Sequence, residues 1–241
     1  MDEKARSMTI AVALAFFLLP MVAGVVVRRL RPGMNWMRLL LSFSGAFLLG
    51  VVFLHMLPEL YADEGAAIGL WILGGFLLQV VLEFFSRGIE HGHVHVHSVP
   101  GKTLPMLTLA SLCIHAFAEG MPFADQEVAA DDHFLAGVLL HKLPMAIALA
   151  TLLVRSGTGA AQTYLFLFIF AVAAPLGMLA GHVVGGELGH HALHNMLGLA
   201  IGMLLHISTT IIFESAPEHR FVAARFLAVL SGALLALFSM H

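Results

Sequence analysis

A chain of 241 residues that is 59% hydrophobic and only 11% charged, with a mean hydropathy of +0.92, has too little polar surface to close over a core in water; soluble domains run near ~25% charged. A formal net charge of −3 excludes the basic footprint of a nucleic-acid binder, and the single cysteine, Cys113, excludes a disulfide framework or a cysteine-built metal cage. Histidine is the outlier, with 15 residues against 12 lysines and arginines.

A helix rises 1.5 Å per residue, so about 20 apolar residues cross the hydrocarbon core. Eight such runs follow one another, at 8–27, 39–60, 66–86, 103–124, 133–155, 162–185, 191–213 and 222–240. They predict an all-α polytopic membrane protein with one transmembrane domain over 1–241. The first run is longer than a signal-peptide core, and no small-residue cleavage site follows, so it reads as a retained span. The breaks carry helix-stopping residues, among them Arg31-Pro32-Gly33, Ser156-Gly157-Thr158-Gly159 and Gly185-Gly186. Basic residues set the orientation. Arg28, Arg29, Arg31, Arg38, Arg87, Lys102, Arg155, Arg220 and Arg225 fall on one side, against Lys4 and Arg6 on the other. Both termini are therefore expected outside the cytosol. Loops on that outer side hold Asp63, Glu64, Asp125, Glu127, Asp131, Asp132 and Glu187, which either draw cations toward a pathway or merely solvate the loops.

An ionisable side chain at bilayer depth costs roughly 2.5–3.5 kcal/mol, and so points to function. Span two carries His55 and Glu59 one helical turn apart, around Pro58. The cytosolic loop 88–102 alternates His91, His93, His95 and His97, a tract that binds zinc, nickel or copper loosely or serves as a plain polar linker. Span four places His115 and Glu119 on one helical face; span five places His141, Lys142, Pro144 and Met145 together, with Met145 one turn beyond His141. His182 lies in span six, His206 and Glu214 in span seven, and Glu218 just after it. His190, His191 and His194, at the outer start of span seven, read as solvated residues or a weak capture point.

Imidazole nitrogen with carboxylate oxygen suits a borderline cation such as zinc or ferrous iron. Spans four and five are therefore expected to converge on one ion. Met145 reads as a thioether ligand or as packing, and a lone histidine such as His55, His182 or His206 equally suits hydrogen-bonded packing. Pro144 removes the backbone donor to Leu140 and is expected to open the helix there.

These motifs resemble the ZIP (Zrt/Irt-like) family of metal transporters. The fourth-span signature reads His115-Ala-Phe-Ala-Glu119-Gly120, the fifth His141-Lys-Leu-Pro144, and the second span ends Leu54-His55-Met56-Leu57-Pro58-Glu59. The resemblance implies a three-plus-two-plus-three arrangement with an inverted repeat. That repeat pairs span two with span seven, matching His55-x-x-Pro58-Glu59 to Glu214-x-x-Pro217-Glu218. It also implies a moving bundle of spans one, four, five and six on a dimerising scaffold of spans two, three, seven and eight.

Members with a two-metal centre carry Asn and an acid where this chain has Ala116 and Lys142, so a single site is expected, as in a branch reading His-Lys-x-Pro. Lys142 then stands either as a tethered charge in place of a second ion or in a buried ion pair with Glu119. The implied ligands are His115, Glu119, His141 and Met145. The implied pathway or auxiliary groups are His55, Glu59, Lys142, His182, His206, Glu214 and Glu218. The expected cargo is Zn2+, with Fe2+, Mn2+ or Cd2+ as alternatives, moved toward the cytosol by a homodimer in the plasma membrane. No resident cofactor, nucleic-acid partner or enzymatic activity is expected. The rival reading is an intramembrane zinc hydrolase, against which no His-Glu-x-x-His motif occurs.

Overall fold

The structure is a computed structural model that describes residues 3–30, 34–89, 103–214 and 222–239. Every regular element among the described residues is helical: α1 (Glu3–Leu30), α2 (Met34–Val51), α3 (Leu57–Glu64), α4 (Ile68–Ser86), α5 (Thr103–Gly120), α6 (Gln126–Ala130), α7 (Asp132–Arg155), α8 (Ala160–Leu188), α9 (His190–Glu214) and α10 (Ala223–Ser239). The protein is an all-α polytopic membrane protein. Its lipid-side surface inverts the soluble pattern, with Leu70, Phe84 and Phe213 exposed while histidines and a lysine are buried.

Six helical runs are long and apolar enough to cross a membrane. One of them, Trp36–Ser86, has 51 residues, far beyond a single crossing. It breaks at Gly65, whose φ of +68° is open only to a residue without a Cβ, and so yields two crossings. With α10, which is shorter, the apolar helices number eight among the described residues.

Within the second of these crossings, a π turn at Val52–Met56 joins α2 to α3 and holds His55. Pro58 opens α3 and has no N–H to give to the preceding turn, so the wider turn absorbs the missing bond. At Pro144 the outcome differs from expectation. α7 runs continuous from Asp132 to Arg155, so the proline costs one backbone donor without opening the helix. Two aspartates cap α6 and α7. Asp125 accepts from the Glu127 N–H at 2.8 Å, and Asp131 from the His133 and Phe134 N–H groups at 3.0 Å.

Helix pairing follows an exchange rule. α1 packs on α7 and α8 packs on α5; α2 packs on α10 and α9 packs on α4. Swapping α1 with α8, α2 with α9, α4 with α10 and α5 with α7 returns the same pairs, which is the pattern an inverted repeat produces. The matched interfaces use the same device. A Cβ at Gly232 in α10 would overlap the Phe43 carbonyl of α2, and one at Gly75 in α4 would overlap the Leu199 carbonyl of α9. Glycine lets these backbones touch where lipid supplies no hydrophobic drive.

Two apolar clusters fill the interior. One gathers Leu112, Ala116, Met145, Leu149 and Phe170; the other gathers Phe16, Leu48, Phe123 and Phe134. The buried polar groups of α5 and α7 lie where these clusters meet.

Candidate metal centre

His115 and Glu119 stand one turn apart on α5, and His141 and Lys142 are neighbours on α7. All four are buried to 1% exposure or less. His115 Nε2 faces Glu119 Oε1 at 2.8 Å, inside ion-pair distance, yet neither atom makes a hydrogen bond of normal geometry. The His141 ring stands edge-on to that of His115, with centroids 6.1 Å apart. One ligand atom from each of His115, Glu119 and His141 lies within 4.8 Å of the others.

Two nitrogens and an oxygen converging in a dry interior form a donor set for a borderline divalent ion. Buried ionisable groups are costly, so their gathering here points to function.

The second carboxylate oxygen is taken. Lys142 Nζ donates to Glu119 Oε2 at 3.2 Å. The ammonium also lies 5.4 Å from the Phe16 ring and 5.2 Å from the Phe170 ring, between the two apolar clusters. Lys142 thus forms a buried ion pair with Glu119, a geometry that also suits a tethered charge beside the site.

A model of the family described as ZIP zinc transporter matches residues 90–240, a stretch containing α5 to α10. The chain belongs to the ZIP zinc transporter family. Its relatives include "Zinc transporter ZIP13" of Bos taurus, 37% identical over 90 residues, covering 30% of this chain and 21% of that protein. "Zinc transporter ZIP13" of Pongo abelii is 29% identical over 158 residues, covering 58% of this chain and 46% of that protein. "Zinc transporter SLC39A7" of Rattus norvegicus is 31% identical over 81 residues, covering 26% and 17%. The chain thus spans less than half the length of these curated relatives. Membership in the ZIP family, together with the apolar helices, makes it an integral membrane protein.

Met145 stays one turn beyond His141 on α7, while the remaining predicted residues of this ZIP chain fall elsewhere. Met145 is fully buried in the apolar cluster with Ala116. His55 Nε2 meets Asp131 Oδ2 at 2.9 Å and its Nδ1 meets Glu59 at 3.3 Å, forming a separate group. His206 bonds Glu83 and stands edge-on to Phe76. His182 is half-buried on α8, and Glu214 is the last residue of α9. Glu218 and the loop histidines His91, His93, His95 and His97 lie outside the described residues.

Sequence reasoning passed over Gln79 and Glu83. Gln79, fully buried on α4, sits with Oε1 2.9 Å from His115 Nδ1. A carbonyl oxygen accepts only, so with this amide orientation Nδ1 donates to Gln79 and Nε2 is left to face Glu119. The available signal was an amide and a carboxylate one turn apart inside an apolar run of 19 residues.

Proposed function

We propose that this ZIP-family protein carries a divalent cation, zinc foremost, across the membrane toward the cytosol through one site between α5 and α7. The ligands are His115 through Nε2, Glu119 through Oε1, and His141, with Met145 one turn along α7 as a thioether fourth. The observation that carries this reading is the buried convergence of His115, Glu119 and His141 within 4.8 Å. Lys142 stands where a second cation would bring its charge, which favours a single-ion site.

An arriving metal competes with the ammonium for Glu119, so loading requires Lys142 to swing away or give up a proton. The α1, α5, α7 and α8 group moves against the α2, α4, α9 and α10 group. The unit is a homodimer in the plasma membrane with both termini outside the cytosol, an orientation supported by the one-sided distribution of basic residues.

Zinc uptake into liposomes by the purified protein tests the reading, with iron, manganese and cadmium in parallel. His115→Ala and Glu119→Ala are each expected to abolish uptake. Uptake that survives both substitutions refutes the site. No flux of any of the four metals from folded protein refutes transport and returns the hydrolase reading.

A further inference from the structure

A second group of metal-ligating side chains forms at the acidic-loop end of the bundle, where three separate segments meet. Asp125 follows the 3₁₀ turn Met121–Ala124 that ends the α5 run, His190 and His194 occupy the first turns of α9, and Glu64 closes α3. One ligand atom from each of Asp125, His190 and His194 lies within 4.8 Å of the others. We propose that Asp125, His190 and His194, held in place by Glu64, form a second site for a zinc-class divalent cation, separate from the buried centre.

The division of labour among the atoms supports this. Asp125 is only 8% exposed, and its two oxygens have different tasks. Oδ1 caps α6 by accepting from the Glu127 N–H at 2.8 Å, while Oδ2 faces His190 Nε2 at 3.0 Å. The cap fixes the carboxylate and leaves Oδ2 as the presented oxygen.

His194 is locked from behind. Its Nδ1 donates to Glu64 Oε1 at 2.6 Å, which leaves Nε2 as the lone-pair nitrogen. Metal-binding histidines are held in this way, by a carboxylate on the far nitrogen that sets tautomer and ring direction. Glu64 also accepts from His191 at 2.8 and 2.9 Å, so its carboxylate ties both histidines to α3. The His190 and His194 rings meet edge to face with centroids 4.2 Å apart, too close for two imidazolium charges to be comfortable and suitable for two neutral ligands around one ion.

The group is reachable, because the His190 side chain is 56% exposed. It lies six residues past Glu119 along the α5 run, about 10 Å by helical rise. Binding here stands whether or not the chain transports, so the two readings fail separately.

The test is site-resolved carbethoxylation of the purified full-length protein in micelles. Diethyl pyrocarbonate attacks the lone-pair nitrogen of an imidazole, and peptide mass spectrometry reports each histidine. At free zinc about ten times the Kd, the site is open about a tenth of the time, so reaction at His190 and His194 slows about tenfold. Asp125→Asn is expected to remove that protection. His115→Ala is expected to leave it intact, which separates this site from the buried one. Equal rates at His190 and His194 with and without zinc in the unsubstituted protein reduce the group to ordinary ion pairs and overturn the proposal. So does protection that disappears in His115→Ala. The unsubstituted arm remains decisive if a variant folds poorly.

Discussion

At the scale of single residues, the centre depends on which nitrogen of His115 is free. Gln79 Oε1, 2.9 Å from Nδ1, turns Nε2 toward Glu119. Loss of such an outer partner costs about 10–100-fold in metal affinity. Gln79→Leu keeps the volume and removes the acceptor, so zinc affinity, measured by titration of purified protein, is expected to drop within that range. An unchanged affinity would show that His115 needs no such guide.

Lys142 leads to a prediction about pH. If metal must evict an ammonium that leaves by losing its proton, uptake by the unsubstituted protein rises with pH. Lys142→Met removes the evicted proton and flattens that rise; superimposable pH profiles would exclude the exchange. The pairing of His115 with Glu119 was legible in the sequence because helical spacing alone puts residues four apart on one face. Gln79 and Glu83 were not, because their partners His115 and His206 lie on other helices, and only tertiary packing brings α4 against α5 and α9.

At the scale of elements, apolar runs of crossing length announced the helices, and length excess betrayed the break inside Trp36–Ser86. Local backbone adjustments were less visible. The π turn around His55 and the short helix α6 answer to hydrogen-bond accounting that no periodicity shows. Pro144 reads as a helix opener in isolation, but the packed walls around α7 hold the helix closed: its residues from Pro144 to Ala150 are all buried. The glycine seams carry the clearest prediction at this level. A Cβ at Gly202 in α9 would overlap the Ile72 carbonyl of α4, which is backbone and cannot swing aside. Gly202→Leu must push the two helices apart, so it is expected to lower the thermal midpoint and weaken Gln79's reach to His115. A midpoint equal to that of the unsubstituted protein would mean the seam adapts.

For the whole molecule, the helices divide into α1, α5, α7 and α8 around the centre and α2, α4, α9 and α10 beside it. The proposed ligands belong to the first group, and Gln79 reaches in from the second. Relative motion of the groups would therefore change the geometry at His115. Leu48 on α2 and Gly137 on α7 mark the boundary, where a Cβ at Gly137 would lie 3.8 Å from the Leu48 Cα. Leu48→Cys with Gly137→Cys, in a chain whose Cys113 is replaced by Ser, suits a disulfide. Oxidation is expected to stop zinc uptake and reduction to restore it; full uptake by the cross-linked protein would rule out motion at this boundary. The exchange rule among helix pairs was only hinted at by the motif shared between spans two and seven, because five residues carry no information on which helices touch.

The ammonium held between Phe16 and Phe170 keeps the buried Glu119 carboxylate paired in the structure. On the proposed reading, the empty site rests electrically neutralised, with its own side chain as placeholder. A passing sodium or potassium ion gains nothing by replacing it, since it offers the same single charge without the tether. Only a visitor bringing two charges, and an appetite for imidazole, improves on the incumbent. The threshold for admission is thus written into the resting state, before any contact with cargo is made.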